Sequence, residues 1–153
     1  DGSFLGWGKN AAEFERKPRL NPVALIELIY NFVVFVKDFQ GFVEKPAKEL
    51  RFQANLSNLW LENTKVYLLP GDINSTPYQF DLEDKGKKSP EPTKEFSIDA
   101  PFVDFIDIPE EIGFELVKKI YNWFGLPDNA IPYKKELSSG KKIIDIEQIK
   151  NLR

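Results

Sequence analysis

The feature that most constrains the fold is the longest nearly apolar run of the chain, NPVALIELIYNFVVFVKDF, from Asn21 to Phe39. Asn21 is a residue type that caps helices, and Pro22 suits the first helical position, where no amide donor is needed. Gly41 follows as a plausible stop. The run therefore predicts a helix over residues 21–39.

Only a narrow stripe of this helix is polar, because Glu27, Asn31 and Asp38 fall within roughly 40° of one another on a helical wheel. A helix that is apolar nearly all round is usually buried on most of its surface, which is what we expect here. Two alternatives compete. Residues 32–36, FVVFV, have the composition of a buried strand. A membrane helix needs about 20 apolar residues, whereas this run is shorter and contains Glu27 and Asn31.

Strand patterns follow in the middle of the chain. Residues alternate between apolar and polar over 50–56, which predicts a half-buried strand, and similar strands are expected over 64–69, 78–82 and 95–99. Residues 83–95, EDKGKKSPEPTKE, contain no aromatic or aliphatic side chain and predict a solvated linker loop. Strands joined by short polar loops favour an antiparallel meander.

Two further helices are predicted in the last third. Pro109 opens a helix over 109–124 with an apolar face, and Gly125 ends it. Asp145 caps a short last helix, with Gln148 three residues on. The fold class is therefore α+β: an antiparallel sheet of four or five strands covered on one face by helices 21–39 and 109–124, with a helical subdomain at the C-terminus.

Composition excludes several chemistries. The 153 residues contain no Cys and no His, so thiol nucleophiles, disulfides, Ser-His-Asp triads and the usual zinc ligands are excluded. The net charge of −3 gives no basic excess of the kind that nucleic-acid binding requires. We expect one domain over residues 1–153. The absence of Met and the uncapped end at Arg153 favour an accessory domain at the C-terminus of a longer protein.

No motif supports catalysis. Carboxylates that could form a hydrolase pair are Asp72, Asp81, Asp99 and Asp104, but their spacing singles out no two of them. The string SSGKK at 138–142 lacks the upstream Gly and the Ser or Thr of a phosphate-binding loop, so it predicts an exposed turn. Asp72-Ile73-Asn74 begins like a calcium loop without its Gly and Glu. The sequence therefore predicts no catalytic residue, no metal site and no cofactor.

Aromatic residues make up 14% of the chain, and 13 of them are Phe. Most occupy positions that face the core of the predicted elements. Trp7, Trp60 and Trp123 are more ambiguous, because Trp is often half exposed and is enriched where proteins make contacts.

The segment from Pro109 to Ile149 combines EEIGFELVKKIYNWFGL, then IPY, a basic turn and IDIEQI. Together with KVYLLPG at 65–71, it resembles the region downstream of the DNA-binding domain in bacterial Schlafen-like ATP-binding and DNA-binding regulators. The resemblance covers about half of the chain. It implies an accessory domain that senses a partner or ligand. The nucleotide-contacting and DNA-contacting residues of that family would precede Asp1.

The function that we predict is a non-catalytic interaction or sensor domain of a larger, cytoplasmic bacterial regulator. Its partners would be other domains of the same polypeptide or another protein, with self-association also open and with no contact to nucleic acid or membrane. The first alternative is a module that binds small ligands or carbohydrate through exposed Trp and Tyr. The second is a hydrolase based on carboxylates, which would need one acid with a raised pKa.

Overall fold

The computed structural model describes residues 18–61, 64–71, 86–101 and 109–151. Three α-helices lie in these ranges: α1 (Pro22–Gly41), α2 (Pro109–Trp123) and α3 (Ile146–Lys150). A short 3₁₀ helix covers Asp128–Ala130. The strands are β1 (Arg19–Leu20), β2 (Glu49–Leu56), β3 (Trp60–Leu61), β4 (Thr64–Lys65), β5 (Tyr67–Leu68), β6 (Lys87–Lys88), β7 (Lys94–Pro101), β8 (Lys134–Glu136) and β9 (Lys142–Ile144). The predicted α+β class is confirmed.

The start of α1 confirms the predicted cap. The side-chain oxygen Oδ1 of Asn21 accepts hydrogen bonds from the amides of Val23 (3.0 Å) and Ala24 (3.4 Å), two donors that the helix itself leaves free. Pro22 occupies the first turn, and the helix ends at Gly41. Residues 32–36 are helical throughout, so the alternative of a strand in the second half is wrong.

The two later helices also begin where the sequence predicts. The acidic residues of the first turn of α2, Glu110 and Glu111, lie at the positive end of the helix dipole. After α2, Gly125 adopts a φ of +79°, and the amide of Leu126 donates to the carbonyl of Tyr121 at 2.9 Å. In α3, Asp145 Oδ1 accepts from the amide of Gln148 at 3.3 Å. Local capping chemistry therefore fixes all three helix starts or ends.

The prediction of one sheet with four or five strands is wrong. In the described ranges the strands form one three-stranded sheet, β1-β5-β6, and three two-stranded sheets, β2-β7, β3-β4 and β8-β9. The strand predicted over 64–69 divides at Val66, and its two halves pair in different sheets. The strand predicted over 78–82 lies outside the described residues. The order of pairing is not a meander either, because β2 and β7 are distant in sequence.

The longest pairing is the antiparallel ladder of β2 and β7, which runs from Glu49 opposite Pro101 to Leu56 opposite Lys94. Phe52 on β2 and Phe96 on β7 are buried, whereas the alternate residues face solvent. This period-2 pattern confirms the strands predicted over 50–56 and 95–99. Each ladder strand thus contributes one face to the core.

The segment predicted as a solvated linker, residues 83–95, is only partly solvated. Lys87 and Lys88 form β6 beside β5, and Ser89 is completely buried. The Ser89 hydroxyl donates to the carbonyl of Leu59 at 3.0 Å, and its amide donates to the carbonyl of Val66 at 2.8 Å. Ser89 is small and polar, and both its hydroxyl and its amide have hydrogen-bond partners, so its burial leaves no hydrophobic signal in the sequence. Composition alone could therefore not reveal it.

The C-terminus is not a helical subdomain, which corrects another prediction. Strands β8 and β9 form a hairpin from Lys134 to Ile144, and only the five residues of α3 follow as helix. Before this hairpin, the chain passes very close to Gly71, where a Cβ atom would overlap the ring of Pro132. Gly is therefore required at position 71 by packing.

The hydrophobic core is shared by α1, α2 and the inner face of the β2-β7 ladder. Helix α2 contacts α1, β7 and β9. Among the described residues, the largest side chains that are fully buried include Tyr121, Phe52, Phe114, Ile26, Leu68, Leu116, Ile120, Ile131 and Ile144. Between the helices, the Tyr30 hydroxyl donates to Glu110 Oε1 at 3.4 Å.

Candidate interaction surface

One row of large apolar side chains on α1 faces outward. We call it the α1 stripe, and it consists of Leu28, Phe32, Phe35, Phe39 and Phe42, the last being the residue that caps the helix. Their exposed fractions are 69%, 48%, 64%, 55% and 89%. With roughly 200 Å² for each phenylalanine, the four rings together expose about 500 Å². This area lies within the range of the largest apolar patches on single-chain proteins, about 300–600 Å², which are often functional.

Helix α1 has a second apolar face, which is buried. Leu25, Ile26, Ile29 and Val33 on that face belong to the core cluster. The α1 stripe lies beside this face and not within it. The prediction that the helix is buried on most of its surface is therefore wrong, because the described residues cover only one of its two apolar faces.

Ring contacts hold parts of the α1 stripe in place. Phe32 meets the buried ring of Phe52 edge to face, with centroids 6.3 Å apart. Phe35 and Phe39 are neighbours along the helix, with centroids 6.3 Å apart and planes inclined by 23°. Since these side chains are supported before any partner arrives, binding would lose less side-chain entropy than it would with unsupported side chains.

The segment after α1 continues the apolar surface. Val43 is 38% exposed, and the amide of Phe42 donates to the carbonyl of Phe39 at 3.1 Å. Gln40 Oε1 accepts from the amide of Ala47 at 3.1 Å, which ties the following loop back to the helix. The chain at the end of the α1 stripe is thus held by one backbone hydrogen bond and by one hydrogen bond to the Gln40 side chain.

The tryptophans that suggested a ligand-binding module differ in exposure. Trp60 is 42% exposed, but its Nε1 donates to the carbonyl of Ser89 and Lys65 Nζ lies 4.3 Å from its ring centroid. One face of that ring is therefore already occupied. Trp123 is partly buried between Phe96 and Phe124. Trp7 lies outside the described residues.

Of the four candidate carboxylates, Asp72, Asp81 and Asp104 lie outside the described residues. Asp99 is exposed on β7, where its carboxylate accepts from Arg51 Nε at 2.7 Å and from Nη2 at 3.3 Å. The hydrogen bond with Arg51 lowers the pKa of Asp99. A general acid needs a raised pKa, so Asp99 is tuned in the opposite direction.

An open depression of about 560 Å³ lies beside this ion pair, at one end of the β2-β7 ladder. Its lining consists of Glu49, Leu50, Arg51, Asp99, Ala100 and Pro101. Because Arg51 and Asp99 neutralise each other, the depression offers no free charge from this pair to a ligand.

Of the two remaining motifs, one forms a turn and the other lies outside the described residues. Residues 138–140 form the turn between β8 and β9, with Gly140 at a φ of +80°. The exposed turn predicted over 138–142 is therefore confirmed for these residues, whereas Lys142 begins β9. The calcium-like string at Asp72-Ile73-Asn74 lies outside the described residues. Across the four described ranges, no group of three or more acidic side chains is placed to hold a metal ion.

Sequence reasoning missed the α1 stripe, although a signal existed. The stripe residues are separated by four, three, four and three positions, which is the spacing of a helix-pairing seam. The core residues of α1 follow a separate row. Because α1 is apolar on most sides, the core row and the stripe row look like one continuous apolar surface in the sequence. They can be told apart only by following the spacing of each row separately.

Neither α1 nor any other helix in the described part of the chain combines the length and apolarity that crossing a membrane demands.

Comparison with models of protein families, with curated proteins and with solved structures finds no match. The resemblance to Schlafen-like regulators therefore stays a prediction.

Proposed function

We propose that this chain is a non-catalytic interaction domain whose binding surface is the α1 stripe. The observation that carries the proposal is the exposure of four phenylalanines and one leucine in a single row of α1, beside the face that packs in the core. Large apolar patches are costly to leave in water, at about 25 cal/mol for each Å², and commonly mark protein contacts.

The composition of the α1 stripe favours a protein partner over a sugar or nucleotide. Phenylalanine and leucine side chains have no hydrogen-bonding groups, whereas recognition of a polar small molecule needs a few well-placed polar atoms. Aromatic anchors are also the residues that dominate binding energy in protein interfaces. The wider expectation, a cytoplasmic accessory domain of a larger bacterial regulator, belongs to this proposal and is supported by the resemblance of residues 109–149.

The test is site-specific photocrosslinking in the native host. A benzophenone amino acid replaces Phe35 in the α1 stripe, and in a matched control it replaces Gln53 on the exposed face of β2. We expect an adduct from position 35 and none from position 53. A Phe39→Glu substitution in the same chain should abolish the adduct, because a charge within the contact must be desolvated.

The mass of the adduct identifies the class of partner. No adduct at position 35, or equal adducts at both positions, would remove the α1 stripe as the binding surface. An adduct that persists with Phe39→Glu would show contact that does not depend on the stripe and would also count against the proposal.

A further inference from the structure

We propose that the occupant of the α1 stripe is the same stripe of a second copy of this chain, with the two α1 helices antiparallel about a two-fold axis near Phe35. This inference rests on the proposed function, because it takes the stripe to be the binding surface. It adds the identity of the partner and the geometry of the contact.

The spacing of the α1 stripe indicates that a helix covers it. From Leu28 to Phe42 the apolar residues recur at alternating intervals of four and three, an average of 3.5 residues. This is the period at which one helix presents a continuous seam to another, with each side chain packing between side chains of its partner. A partner surface formed by a flat sheet or an irregular loop would not require this spacing.

Self-pairing suits this seam because a two-fold interface brings a surface patch against its own copy. A patch that contains charge would oppose like charges at the axis, whereas all five stripe residues are uncharged. Phe35 is the middle member of the five, so an axis there pairs the two halves of the stripe with each other.

The nearest exposed charge favours the antiparallel orientation. Asp38 flanks the α1 stripe three residues beyond Phe35. With helices antiparallel about Phe35, the two Asp38 residues are displaced along the axis by about 9 Å, at 1.5 Å for each residue. In a parallel pair they would lie at the same level, where like charges repel.

The exposed apolar area is smaller than that of a standard interface and fits a weak, reversible dimer. The four phenylalanines expose about 500 Å², and Leu28 and Val43 extend the patch, while a standard interface buries about 800 Å² on each partner. The polar neighbours Asn31 and Asp38 would supply part of the rim. A reversible dimer is therefore the expected assembly.

Sedimentation equilibrium of the purified 153-residue chain, from micromolar to millimolar concentration, tests the inference. The fitted mass should rise with concentration from 17.7 kDa towards twice that value. Phe35→Ala should raise the dissociation constant of the dimer by at least about tenfold. Gln53→Ala, an exposed polar position on β2 and outside the α1 stripe, is the control and should leave the dissociation constant within about threefold.

Circular dichroism tests whether each variant is folded. If Phe35→Ala does not fold, Phe39→Ala is used in its place. A mass of 17.7 kDa at every concentration would overturn the inference. A dimer that neither Phe35→Ala nor Phe39→Ala weakens would overturn it as well, because the contact would lie elsewhere.

The outcomes separate this inference from the proposed function. A chain that sediments as a monomer but crosslinks from position 35 to another protein would overturn self-pairing and leave the α1 stripe as a binding surface. A monomer that binds an apolar fluorescent dye only after residues 1–17 are removed would assign the stripe to the chain's own N-terminal segment, which contains Phe4, Leu5 and Trp7. That result would overturn both.

Discussion

Helices α1 and α2 pack against each other in one core, yet their outward faces differ. Helix α2 exposes only Lys119 and Asn122, both polar. Helix α1 has seven exposed positions, and four of them are Leu or Phe. An amphipathic helix such as α2 needs one apolar neighbour, whereas α1 has a second apolar face that the described residues leave uncovered. Under the proposed function, α2 serves the core alone, whereas α1 serves both the core and the binding surface.

The largest expected effect comes from removing one phenylalanine from each helix. Phe114→Ala deletes a buried ring of α2 and should lower the free energy of unfolding by about 3–5 kcal/mol. Phe35→Ala deletes an exposed ring and should cost far less in the monomer. Urea denaturation at two protein concentrations measures both effects.

The concentration dependence sharpens this comparison. For a dimer, the midpoint of unfolding rises with protein concentration. That dependence should persist in Phe114→Ala and weaken in Phe35→Ala. If both substitutions cost equally and neither changes the concentration dependence, the distinction between the two helices fails.

Glycine substitutions give a smaller effect of opposite sign in the two helices. A Cβ at Gly113 of α2 would meet Ile144 Cδ1 at 2.8 Å, and Ile144 is buried in the core, where its side chain has little room to move. This overpacking should outweigh the gain in helix propensity, so Gly113→Ala should destabilise by about 1 kcal/mol. At Gly41, the last residue of α1, a Cβ meets nothing within 4 Å. Gly41→Ala should therefore stabilise by about 0.5 kcal/mol. Thermal unfolding followed by circular dichroism measures both changes. Midpoint temperatures that shift in the same direction in the two variants would contradict the predicted difference.

An effect of similar size concerns one tyrosine hydroxyl on each helix. Tyr121 Oη is buried with no hydrogen-bond partner in the described ranges, so Tyr121→Phe should stabilise by about 1 kcal/mol. Tyr30→Phe loses the hydrogen bond to Glu110 and should cost about 0.5–1 kcal/mol. Denaturant titrations near neutral pH measure both changes, and a loss of stability in Tyr121→Phe would show that its hydroxyl has a partner.

The same two tyrosines predict how stability depends on pH. Burial raises the pKa of Tyr121 and of Tyr30 above the usual value of about 10. A raised pKa means that the folded state favours the neutral phenol, so the contribution is complete below pH 10 and is lost as the pH rises above it. Stability should fall less steeply above pH 10 in Tyr121→Phe than in the wild type. Equal slopes would contradict the burial of this hydroxyl.

Local signals made the helices predictable, whereas the pairing of the strands could not be predicted. The caps at Asn21 and Asp145 and the stop at Gly125 act within a few residues, so the sequence shows them directly. The pairing of β2 with β7 is set by contacts distant in sequence. The division of the predicted strand at Val66 depends on neighbours that periodicity does not identify.

The α1 stripe was hidden for a different reason. A helix apolar on most sides is expected to be buried, but a sequence does not state how many neighbours its own chain can provide. Ile29 and Phe32 have the same apolar character, yet one is in the core and the other is half exposed. Only the packed structure shows that the ladder and α2 leave one apolar row uncovered within the described residues.

The most direct test of the central claim is the distance between two copies of the chain. Because the sequence contains no cysteine, Asn31→Cys on α1 and Lys119→Cys on α2 each give one site for a nitroxide spin label. Pulsed dipolar spectroscopy at a dimer-forming concentration should give a short distance for residue 31, on the order of 20 Å, since paired helix axes lie about 8–10 Å apart. Residue 119 should give a clearly longer distance. A short distance at residue 119 with none at residue 31, or no coupling at either site, would contradict pairing through the α1 stripe.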